Sequence, residues 1–219
     1  MSGGQAESFL LKKFLFRDIL RNGGKMDEEK KNCDKSSRQD DLSEKFLKTR
    51  TILFSGEVDK ESAEKAIRQL LLLAADSDDP IRFLIDSPGG DVDAGFAVYD
   101  MIRFVKPTVY TVAMGLAASA GALILLAADK EHRFGLPNSH YLIHQPLSYG
   151  MRGVATEIEI HAKEIEKTKQ KINEIIAEKT KKPLKTVEKD TDRDYWLNAA
   201  EAVEYGLIGR IIEKESDLP

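Results

Sequence analysis

The sequence predicts an α/β fold with a largely parallel sheet, on two observations. From Thr49 onward, short runs rich in β-branched and aromatic residues alternate with longer runs that carry apolar residues at helical spacing. This alternation is typical of strand–helix–strand units with right-handed crossovers. In addition, residues 109–114 are almost continuously apolar, as expected for a parallel strand that is buried on both faces.

The segment from residue 51 to residue 126 predicts three strand–helix pairs. Strands are expected at residues 51–54, 81–85 and 109–114. The first helix starts after Asp59, a favourable N-cap, and its apolar residues recur at spacings of three and four. The residues predicted to form its buried face are Ala63, Ala66, Ile67, Leu70, Leu71 and Ala74.

Two further helices are predicted in this segment. One covers residues 92–105 and is ended by Pro107, and the other runs from Ser119 through Leu126. The Ser119 helix is almost wholly apolar. Because a helix that is apolar all round belongs in the interior of a fold, we expect it to be central and buried.

The C-terminal half predicts one long helix. Residues 141–144 resemble a strand, and Thr156 with Glu159 forms a capping-box pattern that opens a helix running to about Lys179. The apolar stripe of this helix consists of Ile158, Ala162, Ile165, Ile172 and Ile176. Such a narrow stripe allows packing on the same domain, but the length also suits a projecting arm that pairs with another subunit.

The last forty residues predict shorter elements. We expect a short helix at 184–189 and a polar loop at 190–196 that ends in aromatic residues. Asn198 and Glu201 predict another helix start, which Gly206 closes before a strand at 207–212.

The N-terminal segment predicts an extension that is separate from the folded domain. We expect residues 1–40 to be partly disordered, with room for a short amphipathic helix at 8–21, and residues 41–219 to form the domain. The apolar run at 9–16 contains Lys12 and Lys13, and no small-residue cleavage site follows it. It therefore predicts neither a secretory signal nor a bilayer span, and contact with a membrane surface is the weaker alternative.

Composition narrows the class of protein. The 219 residues carry a net charge of −4 and are 42% hydrophobic, which is typical of a soluble globular protein and not of a nucleic-acid-binding one. The single cysteine, Cys33, lies in a charged stretch and has no partner for an internal disulfide. We therefore expect a reducing compartment and no catalytic thiol.

Two turn segments are the strongest candidates for chemistry. Ser87-Pro88-Gly89-Gly90 follows the second predicted strand, and Ser119 follows the third within a run of alanine and glycine. Ligands bind beyond the carboxyl ends of strands in such sheets, and a serine there meets the free N–H groups of a helix start. Taken alone, the small residues around Ser119 are equally consistent with close helix–sheet packing.

A serine nucleophile needs a base, and a carboxylate normally orients that base. His132 and His161 lie in charged surroundings and are expected to be solvated, whereas His144 ends a strand and is the better base. His140 and His144 are spaced to share one face of a strand, but no Cys or acidic residue completes a metal site.

Three carboxylates near the C-terminus compete for the role of the acid. They are Asp190, Asp192 and Asp194, and spacing does not choose among them. Asp194 precedes Tyr195 and Trp196, whose burial would partly desolvate the carboxylate and orient it on an imidazole.

Six segments, in order from residue 86 to residue 206, resemble the proteolytic subunit of the ATP-dependent Clp protease, the ClpP family of serine peptidases. The resemblance covers roughly residues 46–212. The matching segments are Asp86-Ser87-Pro88-Gly89-Gly90, Gly115-Leu116-Ala117-Ala118-Ser119, Leu136-Pro137-Asn138-Ser139, Ile143-His144-Gln145-Pro146, Asp190-Thr191-Asp192-Arg193-Asp194 and Glu201-Ala202-Val203-Glu204-Tyr205-Gly206.

The resemblance implies a fold, a site and an assembly. The fold is the ClpP/crotonase-like arrangement of repeated β-β-α units with a projecting long helix. The catalytic triad falls on Ser119, His144 and Asp194, and the oxyanion hole on the N–H groups of Gly90 and Ala120. Family members stack two heptameric rings into a closed tetradecameric chamber in the cytoplasm. An AAA+ unfoldase of the ClpX, ClpA or ClpC type hydrolyses ATP and feeds in unfolded proteins, so the subunit itself is expected to need no cofactor and no metal.

The resemblance also implies that Arg193 pairs across the contact between the rings. The chain departs from the family at residues 31–41, where a short apolar segment is usual, and at 147–153, which is one residue longer than usual. These departures concern the axial pore and the choice of partner.

Other functions stay open at this point. The altered N-terminus favours a paralogue of low activity that serves as a structural ring subunit. Crotonase-type folds use a similar glycine-rich turn on acyl-CoA thioesters, without a serine triad. Membrane-linked signal-peptide peptidases share the Ser-Pro-Gly-Gly turn but use a Ser–Lys pair.

Overall fold

The computed structural model describes residues 45–147, 150 and 152–219. The expected helix at 8–21, Cys33 and most of the N-terminal extension lie outside the described residues, as does part of the 147–153 segment. The chain divides into a first unit, Met1–Lys48, and a second unit, Thr49–Pro219. The second unit contains every element discussed below.

The second unit alternates strands and helices, which confirms the predicted α/β class. The strands are β1 (Thr51–Ser55), β2 (Ile81–Ser87), β3 (Val109–Ala118), β4 (Arg133–Gly135), β5 (His140–Ile143), β6 (Tyr195–Asn198) and β7 (Arg210–Ile211). The helices are α1 (Lys60–Asp76), α2 (Val92–Phe104), α3 (Ala120–Leu125), α4 (Ala155–Thr180), α5 (Leu184–Asp190) and α6 (Ala199–Tyr205).

The sheet is parallel except at one edge, and β3 is its central strand. The strand order is β1-β2-β3-β4-β7, with β5 beside β3 and β6 antiparallel to β5. The first half of β3 pairs with β4 through residues 111–113, and its end pairs with β5 through residues 116–118. The carboxyl ends of β2, β3 and β5 therefore lie at the same edge of the sheet, directly before Ser119 and His144.

Helix α3 is the innermost helix. All six of its residues are buried, which confirms the expectation of a central apolar helix. Helix α1 buries Ala63, Ala66, Leu70 and Leu73. The prediction for Leu71 was wrong, because its side chain is 45% exposed while Leu73 turns inward. Four consecutive leucines satisfy several helical faces equally well, so periodicity does not select the buried one.

Several strand boundaries differ from the prediction because tertiary contacts set them. Strand β3 continues past Met114 to Ala118, since its end has β5 as a second partner. Strands β4 and β6 were not predicted, and β6 begins inside the expected polar loop.

The strand predicted at residues 207–212 was wrong in extent. Only Arg210 and Ile211 form β7. The N–H groups of Leu207 and Ile208 instead donate to the carbonyl of Ala202 at the end of α6. These two residues close the helix, so they do not join the ladder.

Helix α4 is long and mostly exposed. It begins at Ala155, where the Glu157 carboxylate accepts from the N–H of Val154, at 3.2 Å. The capping box predicted at Thr156 and Glu159 was therefore wrong, and Glu159 pairs with Lys163 one turn later. The C-terminal half packs on the domain. The N-terminal half is exposed, including apolar Ile158 and Ile160, the latter 60% exposed.

No helix in the described part of the chain combines the length and the hydropathy that a bilayer crossing requires.

Candidate active site

Ser119 occupies the single position between β3 and α3. Its backbone angles, φ 54° and ψ −120°, are unusual for a residue with a side chain. The Ser119 N–H donates to the carbonyl of Leu142 on β5, at 2.9 Å. A serine held in a strained strand-to-helix turn presents its hydroxyl outward, which is the geometry of a nucleophile elbow.

His144 follows β5 directly and reaches the serine. Its Nε2 lies 2.9 Å from the Oγ of Ser119, and its side chain is only 10% exposed. The next residue ties down the backbone, because the N–H of Gln145 donates to the carbonyl of Thr191 at 2.6 Å. The imidazole is thus placed within hydrogen-bonding distance of a hydroxyl that would otherwise be a weak nucleophile.

Of the three competing carboxylates, Asp194 contacts the histidine. Its Oδ1 lies 3.0 Å from the Nδ1 of His144. Asp190 instead accepts a hydrogen bond from the hydroxyl of Tyr205, and Asp192 contacts the side-chain amide of Gln145. A carboxylate on Nδ1 favours the tautomer whose Nε2 is free to take the serine proton.

The expected desolvation of Asp194 by its aromatic neighbours was wrong. The Asp194 side chain is 61% exposed, and Tyr195 and Trp196 are exposed as well. Tyr195 lies at the start of β6, and its ring packs on Tyr205 with centroids 5.6 Å apart. The carboxylate is therefore oriented by the hydrogen bond to the imidazole and not by an apolar pocket.

The remaining histidines lie apart from the Ser119–His144 pair. His132 is half-buried against the ring of Tyr110, and His140 is exposed at the start of β5. His161 is exposed on α4, where it lines the cleft in front of the serine. Within the described residues, no three His, Cys, Asp or Glu side chains form a group that could hold a metal ion.

The glycine turn after β2 lies directly against Ser119. A Cβ placed on Gly89 would lie 2.6 Å from the Cβ of Ser119, so only glycine fits there. Gly90 is equally confined, because a Cβ on it would lie 2.2 Å from the carbonyl oxygen of Val58. Among the described residues, the N–H groups of Gly90 and Ala120 have no acceptor. Both amide donors therefore remain available beside the hydroxyl.

Two concavities open at the serine. An apolar pocket behind it is lined by Ser119, Ala122, Leu123, Leu126, Ile172 and Ile176. A more open cleft in front runs between the glycine turn and α4, and it includes Gly90, His144, His161 and Ile165. Sequence reasoning placed Ile172 and Ile176 on the packing stripe of α4 and missed that they border the site. Residues spaced four apart on a helix can pack on the domain or line a pocket, so the spacing of Ile172 and Ile176 did not distinguish these two roles.

Comparison with known proteins identifies the family. The family model described as Clp protease matches residues 34–215, which is most of the chain. The chain belongs to the Clp protease family. Members of this family are serine peptidases, so the chain is a Clp-type serine peptidase.

Individual Clp relatives agree over nearly their whole length. The ATP-dependent Clp protease proteolytic subunit 2 of Treponema denticola is 62% identical over 193 residues, covering 88% of this chain and 95% of the relative. The subunit 2 of Treponema pallidum is 58% identical over 192 residues, covering 87% and 96%. A solved structure of a ClpP1 mutant from Listeria monocytogenes has a TM-score of 0.76 and 49% identity, covering 81% of this chain and 99% of that one.

Proposed function

We propose that the protein is an endopeptidase that cuts unfolded polypeptides with Ser119 as nucleophile, His144 as general base and Asp194 as the orienting acid. One observation carries this proposal. A continuous hydrogen-bonded chain runs from the Ser119 hydroxyl through both ring nitrogens of His144 to the Asp194 carboxylate, with separations of 2.9 and 3.0 Å. Ser–His–Asp chemistry requires this order of groups.

The first half-reaction forms an acyl-enzyme. The Ser119 oxygen bonds to the peptide carbonyl carbon while Nε2 of His144 takes the hydroxyl proton. The carbonyl π electrons move onto oxygen, and the N–H groups of Gly90 and Ala120 stabilise that charge. When the intermediate collapses, the C–N bond breaks and the leaving amine takes the proton from His144.

The second half-reaction releases the acyl group. His144 deprotonates a water molecule, and the water oxygen bonds to the ester carbon. The N–H groups of Gly90 and Ala120 again stabilise the negative charge on the carbonyl oxygen. The C–O bond to Ser119 then breaks, and the serine regains its proton from the imidazole. Water is the sole co-substrate in this balance, so we propose no resident cofactor and no metal for this chain.

The two concavities suggest how a peptide binds. The apolar pocket is narrow in this structure, and we propose that it widens to take the side chain that precedes the cut bond, because its walls are alanine, leucine and isoleucine side chains. The open cleft holds an extended chain beside the exposed backbone at Gly90, and backbone pairing accepts many sequences with little side-chain selection.

The assembly we propose is a chamber of two stacked heptameric rings in the cytoplasm. The exposed N-terminal half of α4 presents Ile158 and Ile160, which suit burial against a second copy. Arg193, exposed beside Asp194, is proposed to pair across the same contact. An AAA+ unfoldase of the ClpX, ClpA or ClpC type would consume ATP and deliver the unfolded substrate.

The names of the relatives favour one second candidate. Both Treponema proteins are named proteolytic subunit 2, and the Listeria protein is named ClpP1. A numbered series is consistent with a subunit of low activity that works in rings with a differently encoded copy. Adding such a partner subunit to the purified chain would then raise peptidase activity well above that of the chain alone.

The test is labelling of the assembled protein with a fluorophosphonate, together with hydrolysis of a short apolar fluorogenic peptide. We expect labelling of Ser119, and its loss in Ser119→Ala and His144→Ala. Matched controls are Ser77→Ala, in the turn after α1, and His140→Ala, at the exposed start of β5. Both controls should keep wild-type labelling and turnover.

Two results would overturn the proposal. One is an assembled wild-type protein that neither labels at Ser119 nor cuts the peptide, with or without a candidate unfoldase. The other is thioester turnover that survives Ser119→Ala, which would point to crotonase-type chemistry instead.

A further inference from the structure

Strand β3 carries a bulge a few residues before the proposed nucleophile. The ladder pairs Ile85 with Ala113 and then Ser87 with Ala117. Residues 114–116 therefore lie opposite one residue of β2, Asp86. A bulge of this kind bends a strand and re-aims the side chains that follow it, and bulges are common next to active sites.

The bulge controls where Ser119 emerges. The last pair of the ladder, Ser87 with Ala117, is two residues before Ser119. Because successive strand residues face opposite sides, a slip of one residue at this point would turn the serine away from His144. The register of the bulge is thus a condition for the 2.9 Å contact between Ser119 and His144.

The Asp86 side chain holds the bulge. Its Oδ1 accepts a hydrogen bond from the N–H of Leu116, at 3.1 Å. Gly115 has a φ of +61°, and a Cβ on it would lie 2.7 Å from the same oxygen, so the backbone packs directly on the carboxylate. The backbone of Asp86 is also fixed from the other side, since its carbonyl accepts from the N–H of Gly56 at 2.9 Å.

We propose that Asp86 is a positioning residue for the peptidase reaction. Its carboxylate holds the Gly115–Leu116 bulge in place and thereby sets Ser119 against both His144 and the Gly89–Gly90 turn. Asp86 touches none of the groups that we propose to react, and its effect passes through the backbone of β3. This inference rests on the proposed function, because it concerns the same serine.

The test compares three substitutions in the assembled protein. Asp86→Ala removes the acceptor, and we expect kcat for a neutral apolar peptide to fall by about 10- to 100-fold, because small misplacements of reacting groups have large kinetic costs. KM should change little, since the binding cleft is untouched. Asp86→Asn keeps an oxygen acceptor at the same place and should stay within about threefold of wild type. Asp100→Ala, which removes an exposed carboxylate from α2, is the matched control and should not change kcat.

A structural readout separates positioning from general destabilisation. In a crystal structure of Asp86→Ala, we expect the distance from Ser119 Oγ to His144 Nε2 to exceed about 3.5 Å, beyond hydrogen-bonding range. The melting temperature of Asp86→Asn should match that of wild type. Loss of kcat in Asp86→Asn equal to that in Asp86→Ala would overturn the inference.

Failure of this inference is distinct from failure of the proposed function. If wild type cuts the peptide and Asp86→Ala has the same kcat and the same Ser119–His144 distance, the role of Asp86 is refuted and the peptidase stands. If wild type neither cuts nor labels, the peptidase is refuted. The role of Asp86 as a positioning residue is then refuted with it.

Discussion

Gly89 and Ser119 are in van der Waals contact across the gap between two strands. The Cα of Gly89 packs so closely on the serine that a Cβ would lie 2.6 Å from the serine Cβ and 2.8 Å from the carbonyl oxygen of Ala118. The φ of Gly89, +93°, would also be strained for any other residue. This contact holds the proposed oxyanion turn at a set distance from the proposed nucleophile.

Gly89→Ala should therefore inactivate the enzyme without unfolding it. The added methyl must move the turn or the serine, and removal of one oxyanion donor alone typically lowers kcat by about 10²- to 10³-fold. The measurement is peptide hydrolysis by protein of unchanged assembly mass. Gly56→Ala is the control, because Gly56 has a similar φ, +98°, and thus a similar backbone strain, but a Cβ there meets no atom within 4 Å. Near-normal kcat in Gly89→Ala would show that the turn does not serve the reaction.

Filling the apolar pocket should change which residue is preferred before the cut bond. Ile172 lies on α4 and lines the pocket behind Ser119. In Ile172→Trp the larger ring occupies that space, so kcat/KM for a leucine peptide should fall about tenfold relative to an alanine peptide. Paired fluorogenic peptides measure this ratio. Leu72→Trp, at an exposed position on α1, is the control. An unchanged ratio in Ile172→Trp would mean that the substrate side chain binds elsewhere.

The cleft in front of the serine should favour positively charged peptides. Glu57, Asp91 and Asp93 lie along its glycine-turn wall, and none of them forms an ion pair with a described cation. On the opposite wall, Glu164 is paired with Lys167. A lysine near the cut bond should raise kcat/KM by about three- to tenfold over a glutamate at low salt, and high salt should abolish the difference.

The charge preference should fall in the double variant Glu57→Gln, Asp93→Asn. Glu188→Gln, an exposed change on α5, serves as its control. A preference that is equal in all three proteins, or that is insensitive to salt, would mean that these carboxylates do not act on the substrate.

A charge on the exposed half of α4 should weaken the assembly. Ile160 is 60% exposed in the single chain. If it is buried between copies, Ile160→Glu places an unpaired carboxylate in an apolar contact at a cost of several kcal/mol. Native mass spectrometry should then show particles smaller than those of wild type. Thr186→Glu, an exposed change on α5, adds the same charge away from this face and tests for a general charge effect. An intact particle in Ile160→Glu would locate the interface elsewhere.

Stability at alkaline pH should depend on Tyr141. The side chain is fully buried, its hydroxyl lies 2.8 Å from that of Ser139, and burial raises its pKa to about 12. Because the folded state binds this proton more tightly than the unfolded chain does, the contribution is complete below about pH 10 and is lost as the pH rises toward 12.

Urea unfolding at pH 9 and at pH 11.5 measures this effect. Tyr141→Phe should lose less stability than wild type between these pH values, by about 2 kcal/mol. Tyr195→Phe, a change at an exposed tyrosine, should follow wild type. Arg133 is also buried, and its pKa is lowered to about 10, so its contribution has the opposite sign and cancels in the comparison of variants. An equal loss of unfolding free energy in Tyr141→Phe and wild type between the two pH values would refute the prediction.

Parts of the site were predictable because their signals are local. Short segments show a serine in a small-residue turn at one strand end and a histidine at the end of another strand. The order of the six motifs along the chain also matched that of a known family. The choice among Asp190, Asp192 and Asp194 was not local. It depends on how the segment after α5 lies against Gln145, whose backbone and side-chain amides donate to the carbonyl groups of Thr191 and Asp192, more than forty positions away.

The sequence by itself determined the α/β class, the buried α3 and the family, because periodicity, apolar runs and motif order are properties of neighbouring residues. Only the tertiary structure decided that β3 divides its partners between β4 and β5, that Leu73 and not Leu71 faces inward, and that Asp194 meets His144. Each of these outcomes depends on which distant surface a segment packs against. The free energy of that packing depends on both surfaces, so the sequence of one segment does not determine it.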